Sequence, residues 1–120
     1  MTYKTIEHAD ELVTYTPPGH AGTSNTRLVE SNFCGTFEMM KGTVQPGGEA
    51  ELHHHETEHQ IIYLIKGEAD VTLGDDPPVR CRAGAIIRIP PRLSHHVVSV
   101  GQEAMEAIVI YSPPLTPPGK

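Results

Sequence analysis

From residue 36 to residue 111, apolar positions recur every second residue in short runs rich in Val, Ile and Thr. That period puts alternate side chains on opposite faces of an extended strand. It predicts eight strands, over 36–44, 50–53, 60–66, 68–73, 79–82, 85–89, 95–100 and 104–111. Turn signals separate them at Pro46-Gly47-Gly48, Lys66-Gly67, Gly74-Asp75-Asp76-Pro77-Pro78, Gly84, Pro90-Pro91 and Gly101. Ten of the eleven prolines stand in Pro-Pro pairs, each of which removes two successive amide donors and so marks an end or a turn. Only the window 6–13 has a trace of helical period, and it is short. Many short strands at regular spacing read as an all-β sandwich or small barrel.

One run departs from alternation. Ile61, Ile62, Tyr63, Leu64 and Ile65 are apolar on both faces of their strand. Such a strand must be covered twice, once by the barrel interior and once by another sheet or subunit. A homodimer is therefore expected, with the outward face of this run and the arm around 13–15 against the partner. Residues 1–35 read as an N-terminal arm of the same domain, 36–112 as the barrel, and 113–120 as a Pro-rich extended tail.

Composition narrows the class. A chain of 120 residues argues for one domain. A formal charge of -6 disfavours nucleic-acid and anionic-membrane surfaces as partners, because both would be repelled. No apolar run approaches the ~20 residues of a spanning helix, and residues 1–12 are too polar for a secretory signal, so a cytoplasmic protein is expected. Cys34 and Cys81 are too few for a disulfide framework and read as reduced thiols in the core.

The histidines carry the candidate chemistry. There are eight, and six fall at 53–59 and 95–96. On a strand, His53 and His55 share a face while His54 takes the other. Two imidazoles one pleat apart can clamp a divalent ion, with a third ligand from the strand starting at Gln60 and a fourth from His95. Imidazole suits zinc, iron, nickel and copper alike. His54 and His96 read as surface or supporting residues, His8 and His20 as incidental, and Glu56 and Glu58 as solvated charges of the turn.

At these residues the sequence resembles the cupin superfamily. That family's first motif runs Gly, five residues, His-x-His, three or four residues, Glu, six residues, Gly. Here the positions are Gly47, His53, His55, Gln60 and Gly67. Its second motif runs Gly, five residues, Pro-x-Gly, two residues, His, three residues, Asn. Here these are Gly84, Pro90, Arg92, His95 and Ser99. The resemblance spans 36 to 111. It implies a jelly-roll barrel (a double-stranded β-helix) holding one divalent transition metal, iron, manganese, nickel, cobalt or zinc, between His53, His55, Gln60 and His95.

Three departures bear on that implication. Gln60 stands where Glu is usual, so the donor set is neutral and the ion keeps its full charge, a better receptor for an anionic oxygen. His59 could replace Gln60 at a shorter spacing; strand alternation makes them alternatives, and counting back from Gly67 favours Gln60. Arg92 and Ser99 alter the second motif. The resemblance implies an enzyme acting on a small oxygenated substrate (a carbonyl, enol or carboxylate) by dioxygenase, isomerase, lyase or cyclase chemistry, with a non-catalytic small-molecule-binding or sensor protein as the alternative. No general base is identifiable. Arg88, Arg92 and Tyr63 are the polar residues nearest the motifs, and Tyr63 faces inward only if His59 is the ligand.

Overall fold

The computed structural model describes residues 3–17 and 19–115, and among these the side chains of all but 51–53. A 3-10 turn at Ala9–Glu11 precedes β1 (Thr14–Tyr15), β2 (His20–Val29), β3 (Glu38–His53), β4 (His59–Lys66) and β5 (Glu68–Leu73). Then come β6 (Val79–Arg82), β7 (Ile86–Ile89), β8 (His95–Val100) and β9 (Met105–Ser112). The strands form one curled antiparallel sheet in the order β6-β5-β8-β3-β9-β4-β7, with β2 also on β3 and β1 on β2. The protein is all-β, as expected.

The sheet buries one face and wets the other, and β4 shows why. Gln60, Ile62 and Leu64 are buried, whereas Ile61, Tyr63 and Ile65 point out. Register carries the inward set across the sheet, as in the row Met40, Val109, Ile62 and Ile87 on β3, β9, β4 and β7. Each large aliphatic side chain enclosed this way contributes about 1.5–3 kcal/mol. A second row runs Glu38, Tyr111, Gln60 and Ile89, and it places polar groups at the barrel's mouth end.

Four expectations are corrected. Pro46-Gly47-Gly48 does not end a strand: β3 is one element from Glu38 to His53, pairing with β9 before this segment and with β8 after it. Residues 45–48 bow out instead, opposite Gly22 of β2, where the β2–β3 register shifts. Within the arm, His20–Val29 is a full strand that the pattern hid, because its inward residues include Thr23 and Asn25. The window 6–13 forms only the 3-10 turn; Ile6 and Val13 are exposed, so no apolar face drives a helix. Cys34 is exposed in the loop before β3, with Sγ 3.2 Å from Thr36 Oγ1, a hydrogen bond that lowers its pKa. Cys81, by contrast, packs against the core from the edge strand β6 as expected, half-buried, and desolvation raises its pKa.

Among the described residues no helix is long and apolar enough to cross a membrane. Of the tail, 116–120 lie outside the described residues, and Leu115 N–H donates to buried Glu38 Oε1 at 3.0 Å.

Candidate metal centre

His95 opens β8 and is 1% exposed. Its Nδ1 lies 3.1 Å from the Leu93 carbonyl, an acceptor, so Nδ1 carries the proton and Nε2 the lone pair. His55 lies just beyond β3, its ring 5.4 Å from that of His95 and 5.2 Å edge-on from that of Tyr111. The Arg92 amide donates to the His55 carbonyl at 2.6 Å, which ties the loop bearing His55 to the turn leading into His95.

Gln60 is buried, and its Oε1 has no hydrogen-bond partner among the described residues. A buried amide oxygen in that condition costs about 1–3 kcal/mol unless a ligand satisfies it. His59 is exposed on the opposite face of β4, as alternation requires. The His53 backbone pairs with that of His95; its side chain lies outside the described residues. Ser99, 1% exposed, follows His95 and Val97 along the inner face of β8, with Oγ unpartnered.

These strands enclose a cavity of about 60 Å³. Its polar wall includes His20, Asn25, Gln60, His95 and Tyr111, and its remaining surface is mostly aliphatic. Neither lysine, arginine nor carboxylate lines it among the described residues. Burial pushes the Tyr111 hydroxyl well above the usual phenol range, helped by Tyr15 and by the Glu38 and Glu58 carboxylates, so it stays protonated. The space suits about two waters or a few substrate atoms.

Two of the imidazoles stand at a spacing that a shared ion would accept. A ring bound through nitrogen at ~2.1 Å has its centroid about 3.2 Å from the ion, so two such rings sit about 5.4 Å apart when roughly 115° separates them. His55 and His95 show that spacing. The buried Gln60 oxygen supplies a hard neutral donor in the cavity that His95 lines. Among the described residues, no three His, Cys, Asp or Glu side chains group around one point; His53 is outside that set and Gln60 is an amide.

Other candidates lie elsewhere. Tyr63 and Arg88 point out, and Arg92 is exposed. His54 pairs with Glu56 at 2.8 Å on the surface, and His96 approaches Glu49 at 3.7 Å. The lining residues that escaped the sequence reading include Tyr111 and His20. Tyr111 shares strand parity with Met105, Ala107 and Val109, a usable signal. His20, read as incidental, lines the cavity from β2, and no local pattern announces it.

Arg92 has φ +70° where the motif's glycine would sit, alone among the described non-glycine residues in this region. That conformation costs an ordinary side chain about 1 kcal/mol or more. Arg92→Gly is expected to raise unfolding stability by up to about 1 kcal/mol, since glycine's added chain entropy offsets part of the relief. Denaturant unfolding reads it, and a loss of stability would mean that Arg92 makes a compensating contact.

A family model for the cupin domain matches residues 40–111. Curated relatives include an uncharacterised protein of Methanocaldococcus jannaschii, 28% identical over 63% of this chain and 60% of that protein. Another is oxalate decarboxylase OxdC of Bacillus subtilis, 32% identical over 58% of this chain. The chain thus spans three-fifths of the first relative and 19% of the second. Among solved structures, a predicted oxalate decarboxylase from Thermotoga maritima superposes with a TM-score of 0.81 at 19% identity, covering 91% of this chain and 99% of that one, a likeness of fold. With a family model matching well over half its length, and the curled sheet on which that family is built, this chain belongs to the cupin domain family.

Proposed function

We propose that this chain is a mononuclear metal-dependent enzyme for a small oxygenated substrate, in which His53, His55, Gln60 and His95 hold one divalent transition-metal ion. One observation carries the reading: the His95 lone-pair nitrogen and the unpartnered Gln60 oxygen are buried against the same small cavity. An ion held there supplies Lewis acidity toward a carbonyl, enolate or carboxylate oxygen.

The chain's own groups do the rest. The Leu93 carbonyl holds His95 in the binding tautomer. Tyr111 keeps its proton and offers a neutral donor to a substrate oxygen. The mostly aliphatic walls lower the local dielectric, which strengthens each polar contact inside. All donors to the ion are neutral, so an anionic substrate keeps its full attraction to it.

The test is metal analysis of purified protein, followed by turnover of small dicarbonyls, enols and phenols. Oxalate heads the panel because the Bacillus subtilis relative carries that name. Turnover that needs the metal supports the enzyme; metal and ligand binding without turnover of any member supports a sensor. Gln60→Glu places a charge among the donors. It is expected to tighten metal binding about tenfold or more, a shift of about 1.4 kcal/mol, and to weaken anion binding in competition titrations. Unchanged metal affinity in that variant would remove Gln60 from the donor set.

A further inference from the structure

We propose that the pocket between the N-terminal arm and the exit of β2 is a second small-molecule site, which takes a monoanionic aromatic carboxylate. The pocket holds about 690 Å³. Ligand sites usually hold about 300–1,000 Å³, so the size is that of a binding pocket rather than a packing gap. It shares no lining residue with the candidate metal centre, so it stands or falls independently of the metal reading.

Arg27 anchors the pocket. Its guanidinium lies over the Tyr15 ring, 4.1 Å from the centroid. Tyr15 is itself held at both ends: its backbone pairs with that of Asn25, and its hydroxyl donates to Met40 Sδ at 3.1 Å. The cation is therefore oriented before any ligand arrives, and binding forfeits little side-chain freedom.

What this guanidinium lacks is an anion. Arg80 pairs with Asp70 at 2.6 Å, and Lys41 with Glu106 at 3.1 Å. Arg27 makes no ion pair among the described residues, although Glu7 and Glu30 line the same pocket. Its Nε is buried without a hydrogen-bond partner, which leaves the two Nη groups as the donors open to a ligand. A half-buried, partly desolvated cation gains more from an anion than one in open water.

The rest of the wall narrows the ligand. The Tyr3 and Phe33 rings meet edge to face, 5.0 Å apart, and both remain partly exposed. A flat ring laid against them and Leu12 would cover apolar surface that is now wet. Lys4 adds a second cation, and Glu7 and Glu30 balance the pair, so the lining is neutral as a whole. Such a pocket accepts one negative charge at Arg27 and disfavours a polyanion. A ligand there would touch both β2 and residues 3–12, and so would fasten the arm to the barrel.

Benzoate is the probe, with benzamide as its uncharged counterpart, acetate as the anion without a ring, and pyrophosphate as the polyanion. Because the Arg27 Nε is buried, its N–H is shielded from solvent exchange and can be followed by nuclear magnetic resonance. Benzoate is expected to shift that resonance saturably, with a dissociation constant of about 1 mM or tighter. Benzamide, acetate and pyrophosphate are each expected to bind at least tenfold more weakly. Arg27→Lys is expected to lose about tenfold of the benzoate affinity, because a point charge replaces the planar fork. An Arg27 resonance unmoved by benzoate in wild type overturns the site, and that result needs no variant to fold. Equal binding of benzamide overturns the anion anchor, and equal or tighter binding of acetate or pyrophosphate overturns the ligand class.

Discussion

Purified protein is expected to carry about one divalent ion per chain, and His95→Ala to lose most of it. His95 is enclosed at 1% exposure and its ring is oriented by the Leu93 carbonyl, so truncation removes a fixed nitrogen donor from the pocket. The loss acts on stability in two ways. An ion at 100 times its dissociation constant stabilises the folded state by about 2.7 kcal/mol, which the variant forfeits. The Leu93 carbonyl also loses its partner, at about 1–3 kcal/mol if no water replaces it. Chelator should therefore lower the melting temperature of wild type and leave that of His95→Ala nearly unmoved. Elemental analysis of both proteins provides the second readout. Stoichiometric metal in the variant would remove the centre as drawn.

We propose, second, that the protein is a two-fold dimer through the outer face of β4, β7 and β9. Ile61, Tyr63, Ile65 and Ile86 are 41–53% exposed there. Register places Tyr63 beside Ile86 on β7 and Ile108 on β9, and Ile61 beside Ile110, so the patch is continuous. Its border carries both signs of charge, with Lys41 and Lys66 near Glu106 and Arg88 beside Ile61. A mixed border suits a second copy, because a two-fold contact sets each patch against itself and a single sign would repel. Ile61→Lys or Tyr63→Lys is expected to give monomers at micromolar concentration by light scattering, with the melting transition of each chain kept. A wild type that is monomeric and soluble would show that this face tolerates water.

Much of the barrel was legible in the chain. The strands over 68–73, 79–82 and 95–100 have the bounds that alternation and Gly/Pro punctuation imply, because β-branched residues with one wet face specify both strand and orientation. The apolar run at 61–65 signalled a strand with a second unfilled face, and its outward residues are exposed. Motif spacing brought His55, Gln60 and His95 to one end of the barrel from segments up to 40 residues apart, because strand parity and turn length are local properties.

What the chain concealed depends on partners remote in sequence. Whether Gln60 or His59 faces inward was settled by the curl of the sheet, which encloses the face of β4 that carries Gln60, Ile62 and Leu64. Tyr111 became part of the cavity because β9 lies between β3 and β4, which sets it beside both Glu38 and Gln60. β2 escaped notice since Thr23 and Asn25 are polar, and only the cavity makes polar inward residues affordable there. His20 is the extreme case. Its direction is decided by Gly22 meeting Gly48, a contact between two backbones that no periodicity in either segment encodes.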